Sequence, residues 1–114
     1  MKFAMFVFNG EAMCFIHVLL NALEMHEKGH EVTVILEGAS AKLVPLVDQP
    51  GQLLAKPWQK ALDAGLIGGV CKACATTLGT RDAAVERGLP LLAEISGHPS
   101  ILSYRSQGYE IITF

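Results

Sequence analysis

Apolar residues gather along this chain in five short, nearly unbroken runs, and four of them are opened by a glycine that follows a helical pattern. Lys28-Gly29-His30-Glu31 leads into Val32–Leu36, and Ala64-Gly65 into Leu66–Val70. Arg87-Gly88 leads into Leu89–Ala93, and Gln107-Gly108 into Tyr109–Phe114. Glycine is the usual residue just past a helix end, where φ is often positive. Lys28 and Arg87 also set a cation at the negative end of the helix dipole. With Lys2–Phe8 as the first run, strands alternate with helical connections, which predicts a parallel sheet with helices on both faces. The runs are continuously apolar instead of alternating, as strands covered on both faces are. Phe3 to Phe8 is the clearest case and is placed centrally. Pro90 has no amide hydrogen and belongs at a strand start or on an edge.

The first helix is expected over Glu11 to Lys28. Its polar residues His17, Asn21, Glu24 and Lys28 draw one narrow stripe at helical spacing. Phe15, Ile16, Val18, Leu19, Leu20 and Leu23 surround that stripe, a wider apolar face than one sheet contact covers. A subunit interface is expected there. The connection from Glu37 to Gly65 is broken by Pro45, Pro50 and Pro57, which predicts short helices near Ala41–Val47 and Pro57–Ala64. Trp58 reads as packing its helix onto the sheet, with a lid residue as the alternative.

Composition narrows the class. The chain has 114 residues, 51% of them hydrophobic and 18% charged, which fits one domain over residues 1–114 and excludes a disordered chain. Lys plus Arg number 9 against 11 Asp plus Glu, so no basic footprint for nucleic acid exists. Ala12 to Met25 is interrupted by His17, Asn21 and Glu24 and is too short to span a bilayer. The opening apolar run stops at Asn9-Gly10-Glu11, too early for a signal peptide. Three cysteines, an odd number without an export signal, predict reduced thiols and a cytoplasmic protein.

In a parallel α/β sheet the loops after the carboxyl ends of the strands line one edge, where ligands bind. Here they are Asn9-Gly10-Glu11, Glu37-Gly38-Ala39-Ser40, Cys71-Lys72-Ala73-Cys74 and Ser96-Gly97-His98-Pro99. No G-x-G-x-x-G or P-loop follows a strand, so no nucleotide cofactor is expected. Gly68-Gly69 lies inside the third strand, where close packing explains it.

Cys71 leaves that strand and Cys74 falls in the first turn of the following helix. The Lys72 ammonium and free amides at a helix start favour a thiolate, so Cys71 is expected to have a lowered pKa. Cys71, Cys74 and Lys72 are therefore the candidate catalytic residues. A thiolate is the nucleophile in disulfide exchange and in accepting sulfane sulfur. No second C-x-x-C completes a zinc ribbon. Cys14 reads as core. His17, His26 and His30 read as surface residues, and Thr80 as the cap of a helix beginning at Arg81. Arg81 reads as solvated. His98 reads as a turn residue, with a base or metal ligand for the cysteine loop as the alternative. Glu11 and Glu37, at strand ends, read as helix-start or solvent residues, with holding a metal or orienting a partner as the alternative.

The order and spacing of these segments resemble the DsrE/DsrF-like family, which includes sulfur-relay subunits. The resemblance runs along essentially the whole chain. It rests on Lys2–Phe8, Asn9-Gly10-Glu11, Val32–Leu36 with Glu37-Gly38, Gly65-Leu66-Ile67-Gly68-Gly69-Val70-Cys71, and the ending Gly108–Phe114. It implies a three-layer α/β/α sandwich with a five-stranded parallel sheet, assembling as a homo-oligomer, a trimer or hexamer. It further implies that Cys71 accepts sulfur as a persulfide and passes it to a partner, so that sulfur donor and acceptor proteins are the expected partners. Cys74 departs from the single-cysteine pattern of the sulfur-relay members. A second thiol can attack a persulfide on Cys71 and release sulfide, leaving a disulfide. Three alternatives stay open beside sulfur relay: a module in which Cys71 and Cys74 hold a soft metal or a small ligand, a thiol–disulfide redox protein, and an oligomeric scaffold with inert thiols.

Overall fold

The glycine-led runs become the strands they predict. In the computed structural model, which describes residues 1–114, these are β1 (Lys2–Val7), β2 (Glu31–Leu36), β3 (Ile67–Cys71), β4 (Leu91–Leu92) and β5 (Glu110–Thr113). Gly29, Gly65, Gly88 and Gly108 all carry the positive φ expected of a residue that ends a helix. The strands form one sheet in the order β4-β3-β2-β1-β5, every neighbouring pair parallel. β1 is interior as expected, although β2 occupies the middle. Pro90 sits immediately before the edge strand β4, and its carbonyl accepts the Val70 N–H at 2.9 Å.

The helices are α1 (Ala12–Glu27), α2 (Ala55–Asp63), α3 (Lys72–Thr77), α4 (Arg81–Glu86) and α5 (Ile101–Ser106), with a 3₁₀ helix over Gly38–Leu46. From β1 to β4 the chain steps across the sheet in one direction. Right-handed crossovers therefore lay α1 through α4 on one face. The return to β5 carries α5 to the opposite face, which completes three layers. The two faces are filled unequally. The first holds a core of 21 buried residues including Met5, Phe15, Val34, Trp58 and Val70. The second holds Ala4, Phe6 and Ile35, with Tyr104 and Tyr109 leaning on them.

Trp58 is buried and packs beside Phe15 of α1, centroids 6.2 Å apart, which is the core role and not the lid. This contact also revises the interface expectation for α1. Besides the sheet, α2 packs along α1, so most of its wide apolar face is covered within one chain. Met13 and Leu20 stay exposed, at 67% and 50%. Cys14 is exposed beside Met13, a correction to its core assignment: the buried side of the helix runs through Phe15, Val18, Leu19 and Ala22.

Two close approaches fix β3. The pairing register with β2 shifts between Val34 and Ile35, so Gly68 takes no partner. A β-carbon there would collide with the Thr33 side chain, and one on Gly69 would lie 2.7 Å from the Pro90 carbonyl oxygen. Thr80 does not cap α4. Its hydroxyl donates instead to the Ala41 carbonyl at 2.8 Å, tying the start of α4 to the 3₁₀ helix. Arg87 ends α4 as expected of a cation at a helix C-terminus, donating to Ala83 O, and its guanidinium grips Asp48 at 2.9 and 3.0 Å. No helix is long and apolar enough to cross a membrane.

Candidate functional site: two thiols and an imidazole

Three strand ends build the site. β2 delivers Glu37 and Gly38, β3 delivers Cys71 and Cys74, and the chain beyond β4 delivers His98. That last segment turns sharply. Ser96 (φ 49°) and Gly97 (φ 86°) both take the left-handed conformation, the pattern of a type I′ hairpin turn. Ile95 and His98 exchange both backbone hydrogen bonds across it, at 2.8 and 2.9 Å. The Gly97 carbonyl then accepts the Ala73 N–H at 2.9 Å, clamping the turn onto the start of α3. A β-carbon on Gly97 would approach that of Ala73 to 3.2 Å, so the clamp closes over a glycine.

The clamp brings His98 Nδ1 to 3.1 Å from Cys71 Sγ and 3.9 Å from Cys74 Sγ. With the ring proton on Nε2, Nδ1 accepts the Cys71 thiol hydrogen. Two amides donate to the sulfurs, Cys74 N–H to Cys71 Sγ at 3.4 Å and Gly38 N–H to Cys74 Sγ at 3.2 Å. Glu37 Oε1 lies 3.8 Å from His98 Nδ1, its side chain only 14% exposed. All three cysteines are free thiols.

The two thiols of the cluster differ in access. Cys71 is completely buried. Cys74 opens into a cavity of about 400 Å³ that it shares with Gly38, Ala39, Ala73, Thr77, Leu78 and His98. Burial pushes the Cys71 thiol up to about 11; nearby Cys74 and Glu37 add to the rise and the Cys74 amide opposes it. This reverses the lowered pKa expected from Lys72. Lys72 begins α3, half-buried, and its ammonium forms no ion pair. Desolvation of a thiolate outweighs whatever a flexible, partly solvated ammonium returns. Burial also raises the Glu37 carboxyl, with His98 pulling the other way.

Cys71 and Cys74 are thus brought together as the sequence predicts, and Lys72 stays outside their contacts. His98 and Glu37, read as turn and helix-start residues, belong to the cluster. The available signal was that both follow the carboxyl ends of strands. Glu11 follows β1 but stays exposed, its amide bonded to Asn9 Oδ1 at 2.8 Å. His17 and His26 are exposed as read, and His30 meets the N-terminal amine at 3.0 Å, on the far end of the sheet.

Fold and site together define an α/β sandwich with a two-thiol, one-imidazole cluster at the carboxyl edge of its parallel sheet. By sequence the chain belongs to one family with the uncharacterized protein MJ0733 of Methanocaldococcus jannaschii, 33% identical over 97 residues, 85% of this chain and 77% of that one. An uncharacterized protein of Archaeoglobus fulgidus is 36% identical over 58 residues, 51% of this chain and 93% of its own length. No protein-family model matches the sequence. Among solved structures, the conserved protein of unknown function BT1422 from Bacteroides thetaiotaomicron shares the fold, with a TM-score of 0.71 and 19% identity over 99% of this chain and 95% of that one.

Proposed function

We propose that this chain accepts sulfane sulfur as a persulfide in the Cys71–Cys74–His98 cluster and passes it to a partner protein, as its resemblance to DsrE-like proteins implies. The observation that carries this is a pair of thiols sharing one imidazole, of which only Cys74 opens on a cavity. We assign acceptance to Cys74 instead of Cys71, because a donor reaches a sulfur only where the surface is open.

The Cys74 thiol gives its proton to His98, and the thiolate attacks the outer sulfur of a persulfide donor R–S–SH. The new Cys74 S–S bond forms as the donor's S–S bond breaks. The leaving thiolate RS⁻ takes the proton back from His98 and departs as RSH, leaving Cys74–S–SH. The Gly38 N–H, which donates to this sulfur, steadies the negative charge that develops there. Delivery is the same exchange in the other direction, a partner thiolate attacking the outer sulfur and Cys74 leaving.

Cys71 governs how long the persulfide lasts. Its thiolate would attack the inner sulfur of Cys74–S–SH, expel HS⁻ and close a Cys71–Cys74 disulfide, reducing the sulfane sulfur and oxidising the dithiol. With a pKa of about 11 only about one Cys71 in ten thousand is thiolate at pH 7, which holds that side reaction back. The family resemblance and three free thiols favour the reducing cytoplasm; the exposed Met13 and Leu20 favour self-association, for which the resemblance implies a trimer or hexamer.

Loading of single-cysteine variants with a small persulfide tests the assignment. Cys74→Ser abolishes added sulfur and Cys71→Ser keeps it with a longer lifetime. Full loading of Cys74→Ser would refute the role of Cys74.

A further inference from the structure

We propose that Cys71, Cys74 and His98, with Glu37 beside them, form a binding site for one thiophilic metal ion of the zinc class. This goes beyond sulfur acceptance and stands on donor geometry alone. The ligand atoms of Cys71, Cys74 and His98 lie within 4.8 Å of one another. Zinc bonds of about 2.3 Å to sulfur and 2.0–2.1 Å to nitrogen, at tetrahedral angles, set S···N at about 3.6 Å. The two S···Nδ1 distances here are 3.1 and 3.9 Å and straddle that value. The same construction sets O···N at about 3.4 Å for a carboxylate ligand. Glu37 Oε1 stands at 3.8 Å from Nδ1, outside the group of Cys71, Cys74 and His98, and flanks the site as a neighbour of its imidazole.

The surroundings agree with the ligand set. Glu37 is turned inward without a Lys or Arg partner, its only ion-pair neighbour being His98. Two thiols and an imidazole facing one point lack only a cation, and the Glu37 carboxylate stands beside the imidazole. Each sulfur already receives an amide N–H, the outer hydrogen bonds that orient thiolate ligands and stabilise their charge. The four residues come from the ends of β2, β3 and β4, held by the Gly97–Ala73 clamp, so the site is preformed, and the cavity beside Cys74 gives an entry path. A soft donor set of two sulfurs and one imidazole selects zinc over magnesium or calcium. Metal and sulfane sulfur compete for the same sulfur lone pairs, so the metal-bound form is closed to sulfur.

Titration of the reduced wild-type protein with cobalt(II), read by visible and near-ultraviolet absorption, tests the site. One equivalent is expected to bind with intense tetrahedral ligand-field bands and thiolate-to-cobalt charge transfer, both bleached by one equivalent of zinc. Cys71→Ser and Cys74→Ser each lose charge-transfer intensity. Glu37→Gln keeps it and binds at least about tenfold more weakly. Absence of saturable tetrahedral bands in the folded wild type would overturn the proposal, as would equal binding by the Cys71→Ser/Cys74→Ser double variant, with circular dichroism reporting that each variant folds. Sulfur loading is measured on separate metal-free samples. Cobalt bands without loading would refute sulfur acceptance alone, and loading without cobalt bands would refute the metal site alone.

Discussion

Cys71 is the residue whose behaviour departs most from an ordinary cysteine, and pH is the perturbation that exposes it. A thiol at about 11 is about 0.01% thiolate at pH 7, against about 3% for an unperturbed cysteine near 8.5, a ratio of about 300. The more basic thiolate is intrinsically more nucleophilic. A Brønsted slope of about 0.45 over those 2.5 or so pH units returns about 13-fold. Cys71 should therefore alkylate about 20-fold more slowly than a free thiol at pH 7, before the obstruction of complete burial is counted. Exposed Cys14 is the internal reference. Trypsin places each cysteine on its own peptide: Phe3–Lys28 carries Cys14, Ala61–Lys72 carries Cys71, and Ala73–Arg81 carries Cys74. Pulse labelling with iodoacetamide from pH 6 to 10, read by peptide mass, should show Cys71 rising tenfold per pH unit throughout. A plateau for Cys71 below pH 8 would mean that its thiolate pairs with a protonated His98, and would refute the dominance of burial.

The same group links stability to pH. A thiol raised in the folded state contributes stability that is full below the unfolded value of about 8.5 and is lost as pH climbs towards about 11. Urea midpoints should fall across that window in wild type and flatten in Cys71→Ala. On the proposed mechanism, replacing His98 by Ala removes the proton acceptor for Cys74, and sulfur loading at pH 7 should slow by about 100-fold or more. Unchanged loading would remove His98 from the mechanism. Trp58→Ala empties the centre of the larger core and should cost about 3–5 kcal/mol in urea unfolding. Leu102→Ala, on an exposed face of α5, should stay within about 0.5 kcal/mol and serves as the control.

The architecture was readable because its signals are local. Four glycines marked helix ends, five apolar runs marked strands, and the long connection resolved into a 3₁₀ helix and α2 close to their expected places. The phase of α1 was not readable at Cys14, since apolar residues flank its polar stripe on both sides and only packing on β1, β2 and α2 chooses between them. Cys71 and Cys74 were found from their spacing after a strand. The environment of Cys71 was not, because its burial depends on the segment beyond β4 folding back over it, and β4 pairs over only Leu91–Leu92. That return is decided by the left-handed Ser96-Gly97 turn and by the clamp on Ala73, the second of which joins residues more than 20 positions apart. His98 and Glu37 enter the site through the same tertiary contacts, so a role beside the cysteines is readable only as the lesser alternative until the three strand ends meet.

The central claim is that Cys74 carries sulfur. Reduced, metal-free protein exposed to a persulfide donor, alkylated and digested with trypsin gives the direct measurement, since cleavage after Lys72 separates the two thiols. One added sulfur on the Ala73–Arg81 peptide, with Ala61–Lys72 unmodified by sulfur at pH 7, is the predicted result. Added sulfur confined to the Cys71 peptide, or neither peptide gaining mass, would contradict it.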